Sequence, residues 1–184
     1  ETGAARGKDY IFIVTDTSAY IMQFVGPPFT FSIRQVGSNC GAMSQHSLVH
    51  VDGIMYWMGK SGGFYAYDGG SVKKLTCSVE DFVFTTQTSD DLGFNFGQSE
   101  QVFAGYNTLF TEINWFYCKD GSTQIDRCVT LNYREGLWTT SSLARTAYSD
   151  KYVLDNPYAT EYNSTGLPSA VSYTHLRAHE TSLH

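Results

Sequence analysis

Few residues in this chain are of types that do chemistry, and their spacing decides what each can offer. His175 and His179 stand four apart, with Glu180 next to them and His184 at the end. On a helix that spacing puts two imidazoles on one face, as zinc sites require. Before that tail the only histidines are His46 and His50. A Cys–His nucleophile would have to join Cys40 or Cys77 to one of these two. His46 beside Ser47 is adjacency, which a catalytic triad neither needs nor shows. Glu80–Asp81 and Asp90–Asp91 are adjacent acid pairs whose side chains diverge. They read as a solvated helix start and a polar loop, and no D-x-D-x-D-G calcium spacing exists. Gly59-Lys60-Ser61 contains G-K-S, but Ile54 stands where a phosphate loop has its first glycine, and the segment joins two strands. Glu112 and the Asp126–Arg127 pair suggest a polar contact across a hairpin, worth roughly 0.2–1 kcal/mol. Arg145 reads as a buried or interface arginine. Trp57, Trp115, Trp138, Tyr65 and Tyr117 offer rings to a sugar, although strands this aromatic keep most rings in their core. No catalytic, cofactor-binding or metal-binding residue is assigned.

The histidine tail is discounted for a separate reason. Val171 to Thr181 resembles the translated adapter of transposase-based DNA sequencing libraries over eleven consecutive residues. The chain also starts at Glu1 rather than Met. The expectation is that 171–184 is a non-native tail, that both ends were set by a sequencing read, and that 1–170 is a fragment of one domain.

The elements that position the remaining residues are strands. Aromatics make up 15% of the chain, with 13 Tyr and 12 Phe, beside 17 Gly. That composition suits short strands joined by tight turns. Tyr10–Val14 is a continuous apolar run, Ala19–Val25 follows a turn at 16–18, and Phe29–Val36 alternates with Phe, Phe, Ile and Gln on one face. Leu48–Val51, Ile54–Met58, Phe64–Tyr67 and Ser71–Leu75 are four strands joined by short turns, the first of them the type I′ signal Asp52-Gly53. Val102–Gly105, Phe110–Cys118, Ile125–Tyr133 and Leu137–Thr140 repeat that plan, and 141–148 closes this unit. Ser78 reads as the N-cap of a short helix with acids in its first turn. The units at 10–36, 47–77 and 102–140 predict an all-β, β-propeller-like fold of about three blades. A β-sandwich is the alternative.

Net charge is −6 and the longest basic run is Lys73–Lys74, so no nucleic-acid groove is expected. No apolar run approaches the ~20 residues of a membrane helix. The four cysteines form no C-x-x-C pair. A Cys118–Cys128 disulfide across a hairpin is thinkable, but buried free thiols in a protein made in a reducing cytoplasm are the favoured reading.

Several segments carry a family resemblance: Phe29–Ser44, Gly53–Asp68, Cys77–Phe84, Glu112–Tyr117, Ile125–Trp138 and Leu143–Ala147. They are similar to tailed-bacteriophage structural proteins of the packaged-DNA stabilisation kind, found at the head–tail junction. The resemblance covers most of 10–165. It implies a propeller-like subunit of the virion, assembled in the bacterial cytoplasm, without catalytic residues, cofactor or membrane. Its partners would be other portal and tail proteins and copies of itself in a ring. From the acidic balance of the chain itself, the expectation is a lumen past which packaged DNA slides without a basic site. A carbohydrate- or receptor-binding propeller module is the alternative function.

Overall fold

The computed structural model describes residues 3–6, 9–85, 93–150, 157–162 and 168–172. The chain is all-β, built as antiparallel sheets whose strands follow sequence order. The first sheet holds β1 (Gly3–Arg6), β2 (Tyr10–Val14), β3 (Ser18–Phe24) and β4 (Phe31–Ser38). The second holds β5 (Leu48–Val51), β6 (Ile54–Met58), β7 (Phe64–Tyr67) and β8 (Val72–Leu75). The third holds β9 (Phe103–Asn107), β10 (Glu112–Tyr117), β11 (Arg127–Asn132) and β12 (Leu137–Ser141). A fourth holds β13 (Arg145–Ser149), β14 (Tyr158–Tyr162) and β15 (Pro168–Ser172). Between the second and third sheets lie a short helix, α1 (Glu80–Phe84), and a 3₁₀ segment, Phe96–Gln101.

Two compact units divide at Ala144/Arg145, where the sequence reads as one domain to residue 170. The stretch 141–148, expected to end the third unit, instead contains β13, the first strand of the second compact unit. In that unit β13 pairs with β14 and β14 with β15. Arg145 is buried and ion-paired with Glu161, as the reading of a buried arginine anticipated.

In the first unit, side-chain alternation explains how three sheets share two cores. Along β6, Met55 and Trp57 point to one side and Tyr56 and Met58 to the other. The first pair joins Tyr65 and Tyr67 of β7 against Phe12, Val14, Ala19 and Ile21 of the first sheet. The second pair joins Phe64 and Ala66 against Ile113, Trp115, Tyr117, Val129, Leu131 and Trp138 of the third. The middle sheet is thus covered on both faces. That is why β6 and β7 read as unbroken apolar runs rather than alternating ones. Ring pairs fill both seams: Phe12 stacks on Tyr67 at 4.9 Å, and Phe64 sits 4.6 Å from Trp138 and 4.9 Å from Trp115.

Turn chemistry follows the sequence at Asp52 (φ 51°) and Gly53 (φ 84°), the left-handed pair a type I′ turn requires. The helix start differs from expectation. Val79, not Ser78, precedes the first helical residue, and no side chain caps it. Val79, Phe84 and the buried Val83 pack on the core between the second and third sheets, so apolar docking rather than a hydroxyl cap sets where α1 begins.

The alternation expected along Phe29–Val36 is present, but its apolar side faces away from the core. The register sets Phe31 beside Phe24, Ile33 beside Met22 and Gln35 beside Tyr20. Phe24, Phe29, Phe31 and Ile33 are all exposed.

Candidate functional site

The sites that stand out in this structure are the seams between sheets, each fastened by a tryptophan. The indole Nε1 of Trp57 donates to the Cys40 carbonyl at 2.7 Å, in the link between the first and second sheets. Trp115 donates to the Ser47 carbonyl at 3.0 Å, on the same link. Trp138 donates to the Thr76 carbonyl at 3.0 Å, where the second sheet leaves for the third. Each ring supplies apolar area, and the indole N–H groups of Trp57 and Trp115 satisfy carbonyls of the buried link residues Cys40 and Ser47. Trp57, Trp115, Trp138, Tyr65 and Tyr117 are all buried. These five rings are core, and they form no stacking face for a sugar.

The first link is held tightly. Cys40 N–H donates to the Thr17 carbonyl and Ala42 N–H to the Thr15 carbonyl, both at 3.0 Å. Gly41 lies so close to the Asp16 carbonyl that a Cβ there would overlap it. Lys60 N–H donates to the Gly41 carbonyl, and its ammonium pairs with Asp16 at 3.0 Å. The G-K-S segment is therefore a hairpin turn between β6 and β7, its lysine spent on Asp16. The lysine hydrogen bond holds the Asp16 carboxyl below the usual aspartate range.

The other candidate residues stay apart. His46 and His50 are exposed, and the His46 carbonyl accepts from Ala104 N–H at 2.8 Å. The Ser47 hydroxyl is buried; it donates to the Ser44 carbonyl at 2.9 Å and accepts from Ser44 N–H at 3.2 Å. That hydroxyl closes a local turn, a role that leaves it unsuited to attack a substrate. All four cysteines are free thiols. Burial pushes the Cys40 thiol up, and those of Cys77 and Cys118 to about 11, so all three stay protonated at neutral pH and are poor nucleophiles. The hairpin register sets Cys128 opposite Phe116 rather than Cys118.

Glu80 pairs with Lys74 at 2.6 Å, and with Asp81 it borders a shallow open cleft of about 370 Å³ that also includes Cys77 and Ser78. The expected contact between Glu112 and Arg127 is overturned by register. Glu112 faces Asn132 at one end of β10, while Arg127 faces Tyr117 at the other. Arg127 donates instead to the Ser142 hydroxyl at 2.7 Å. Glu112 is half-buried, and desolvation raises its pKa. Among the described residues no three His, Cys, Asp or Glu side chains gather as a metal site, and no helix is long and apolar enough to cross a membrane. Asp90, Asp91, His175, His179, Glu180 and His184 lie outside the described residues.

Sequence reasoning missed the exposed apolar side of the first sheet. The signal was present: from Ala19 to Ile33 there is no charged residue, and along β3 apolar residues occupy both parities. No protein-family model and no curated protein matches this chain.

Proposed function

We propose that this chain is a non-enzymatic structural protein of a tailed-phage virion, in the tail or head–tail connector. There it helps close the portal end and stabilise packaged DNA. The observation that carries the reading is where the phage-like segments fall. Phe29–Ser44 spans β4 and the first link, Gly53–Asp68 is the doubly covered β6–β7 hairpin, and Glu112–Tyr117 is β10. Ile125–Trp138 runs through β11 into β12. The residues that resemble the family are those that hold sheet to sheet, as expected of a protein whose work is to keep its shape in an assembly.

The propeller reading belongs to the same proposal. It is supported by the first strands of successive sheets, which approach one another, β1 beside β5 and β5 beside β9. Sheets that converge along their first strands fan about a common line, the arrangement blades adopt around a propeller axis. Three of the described acidic side chains pair with nearby lysines, Asp16 with Lys60, Asp68 with Lys73 and Glu80 with Lys74. A carbohydrate-binding role would need rings other than the five buried ones.

The test is mass spectrometry of purified tailed-phage particles from a host that carries the gene, searching for the tryptic peptide Cys128–Arg134. Its presence at low copy relative to the major capsid protein supports the reading. Its absence from particles, with the peptide abundant in the infected lysate, overturns it.

A further inference from the structure

Asp52, Asp68 and Asp120 are each followed by glycine, and all three stand in exposed turns. The glycines have left-handed φ values, 84° at Gly53, 100° at Gly69 and 75° at Gly121, which residues with a Cβ rarely adopt. An aspartate before glycine has a reaction open to it, because no side chain crowds the glycine nitrogen as it attacks the aspartyl Cγ. A C–N bond forms, the carboxyl hydroxyl leaves as water, and a cyclic succinimide results. Water then opens the ring at either carbonyl. One opening restores aspartate. The other leaves isoaspartate, whose main chain runs through the side-chain methylene. Water is lost and regained, so the sequence of steps is redox-neutral and takes only solvent.

Two conditions decide which aspartate reacts. The glycine N–H must be free, and the carboxyl must be free to turn toward it. The first holds at all three turns: among the described residues, Gly53, Gly69 and Gly121 make no hydrogen bond through N–H. The second separates them. Both oxygens of Asp68 are tied, Oδ2 accepting from the Lys73 ammonium at 2.6 Å and Oδ1 from Gly70 N–H at 3.1 Å. The lysine bond also holds this carboxyl below the usual aspartate range, away from the neutral form whose hydroxyl leaves as water. Among the described residues the carboxylates of Asp52 and Asp120 have no hydrogen bond or ion pair.

We infer that Asp52 and Asp120 are sites of spontaneous isoaspartate formation, and that Lys73 and Gly70 protect Asp68 from it. The two sites differ in what conversion does to the fold. Asp52 and Gly53 alone join Val51 to Ile54, which are paired. An added main-chain atom there must be taken up by that pair, and Val51 is buried in the core between the second and third sheets. The β5–β6 hairpin should therefore loosen from its turn inward. Asp120 lies in the longer connection between Tyr117 and Arg127, which has slack for the extra atom. The inference stands independently of the virion reading.

The experiment is incubation of the full chain in heavy-oxygen water at neutral pH, followed by tryptic mass spectrometry. Each passage through succinimide leaves one heavy oxygen on the aspartate, and fragment spectra locate it. Peptides Gln35–Lys60 and Asp120–Arg127 should gain label. Ser61–Lys73 should gain it at least about tenfold more slowly, since each unit by which pairing lowers a carboxyl pKa cuts the neutral fraction about tenfold. Lys73→Gln, a surface change, should bring Asp68 toward the rate of the other two. In urea all three should label alike in the parent chain. Equal labelling of the three in the folded chain overturns the inference. So does a folded chain in which neither Asp52 nor Asp120 labels while the urea sample does, or a Lys73→Gln chain whose Asp68 stays as slow as before.

Discussion

Gly41→Ala isolates one close approach on which the first seam depends. Gly41 does not have the left-handed φ that would itself exclude alanine. With space available, the substitution would stabilise the fold by roughly 0.4–1 kcal/mol, by restricting the unfolded chain. There is no space. The new Cβ would overlap the Asp16 carbonyl and sit 2.5 Å from Thr17 N. These are backbone atoms, so no side-chain rotation relieves the overlap and the 15–17 turn must withdraw. Withdrawal lengthens the 3.0 Å bonds from Cys40 N–H to Thr17 and from Ala42 N–H to Thr15. Cys40 and Ala42 are buried, so a donor released there loses its partner without gaining water. At about 1 to 2 kcal/mol for each bond, offset by the entropy gain, Gly41→Ala should destabilise by about 2 kcal/mol. Urea unfolding followed by tryptophan fluorescence measures this cleanly, because all three tryptophans lie in the first compact unit. Gly70→Ala is the control. There a Cβ meets only the Asp68 carboxylate at 3.4 Å, and the change should stay within about 0.5 kcal/mol. A Gly41→Ala protein as stable as the parent would refute the reasoning, since the turn would have absorbed a methyl group at no cost.

Trp57→Phe keeps most of the ring but leaves the Cys40 carbonyl without its donor. It should lower stability by about 1–3 kcal/mol in the same assay, and a neutral result would show that water or another donor takes over. Glu112→Gln should stabilise the protein at pH 7 and lose that advantage near pH 4. Desolvation raises the folded pKa of Glu112, so the carboxylate weakens the fold above its unfolded pKa, and below it both states are protonated. Thermal melts at the two pH values check the sign. The buried thiols predict alkaline sensitivity. Cys77 and Cys118 titrate near 11 when folded against an ordinary value of 9.0. Their contribution is intact below pH 9 and declines as pH climbs toward 11, because the unfolded chain releases those protons first. Melts from pH 8 to 11 under reducing conditions should fall, and replacing both residues by alanine should flatten that decline.

Much of the strand layout was legible in the residues. Tyr10–Val14, Ile54–Met58 and Phe64–Tyr67 match strands end to end. Their boundaries are fixed locally, by turn residues at 16–18, at Asp52-Gly53 and at 59–63. What depends on distant partners was harder to read. The side toward which Phe31 and Ile33 point is decided by where the second sheet lies, and alternation alone is silent on that. The separation of Glu112 from Arg127 follows from hairpin register, which shifts with the length of the 118–126 turn. Ser78 illustrates a third kind of limit. A good capping residue was present, but burial of Val83 outweighed the ~1 kcal/mol a cap provides. For the candidate site, the sequence correctly pointed to core rings, but nothing in it marks which tryptophan grips which link.

The three indole bonds also have a direction in time. Each acceptor is made before its donor: Cys40 before Trp57, Ser47 before Trp115, Thr76 before Trp138. As the chain leaves the ribosome, the link after the first sheet stays unfastened until the second emerges. The middle sheet then waits for the third, some sixty residues later. At about 5–20 residues per second, that wait lasts several seconds. For that interval the aromatic side of a nascent sheet faces solvent without its lid, the moment at which a chaperone would be most needed.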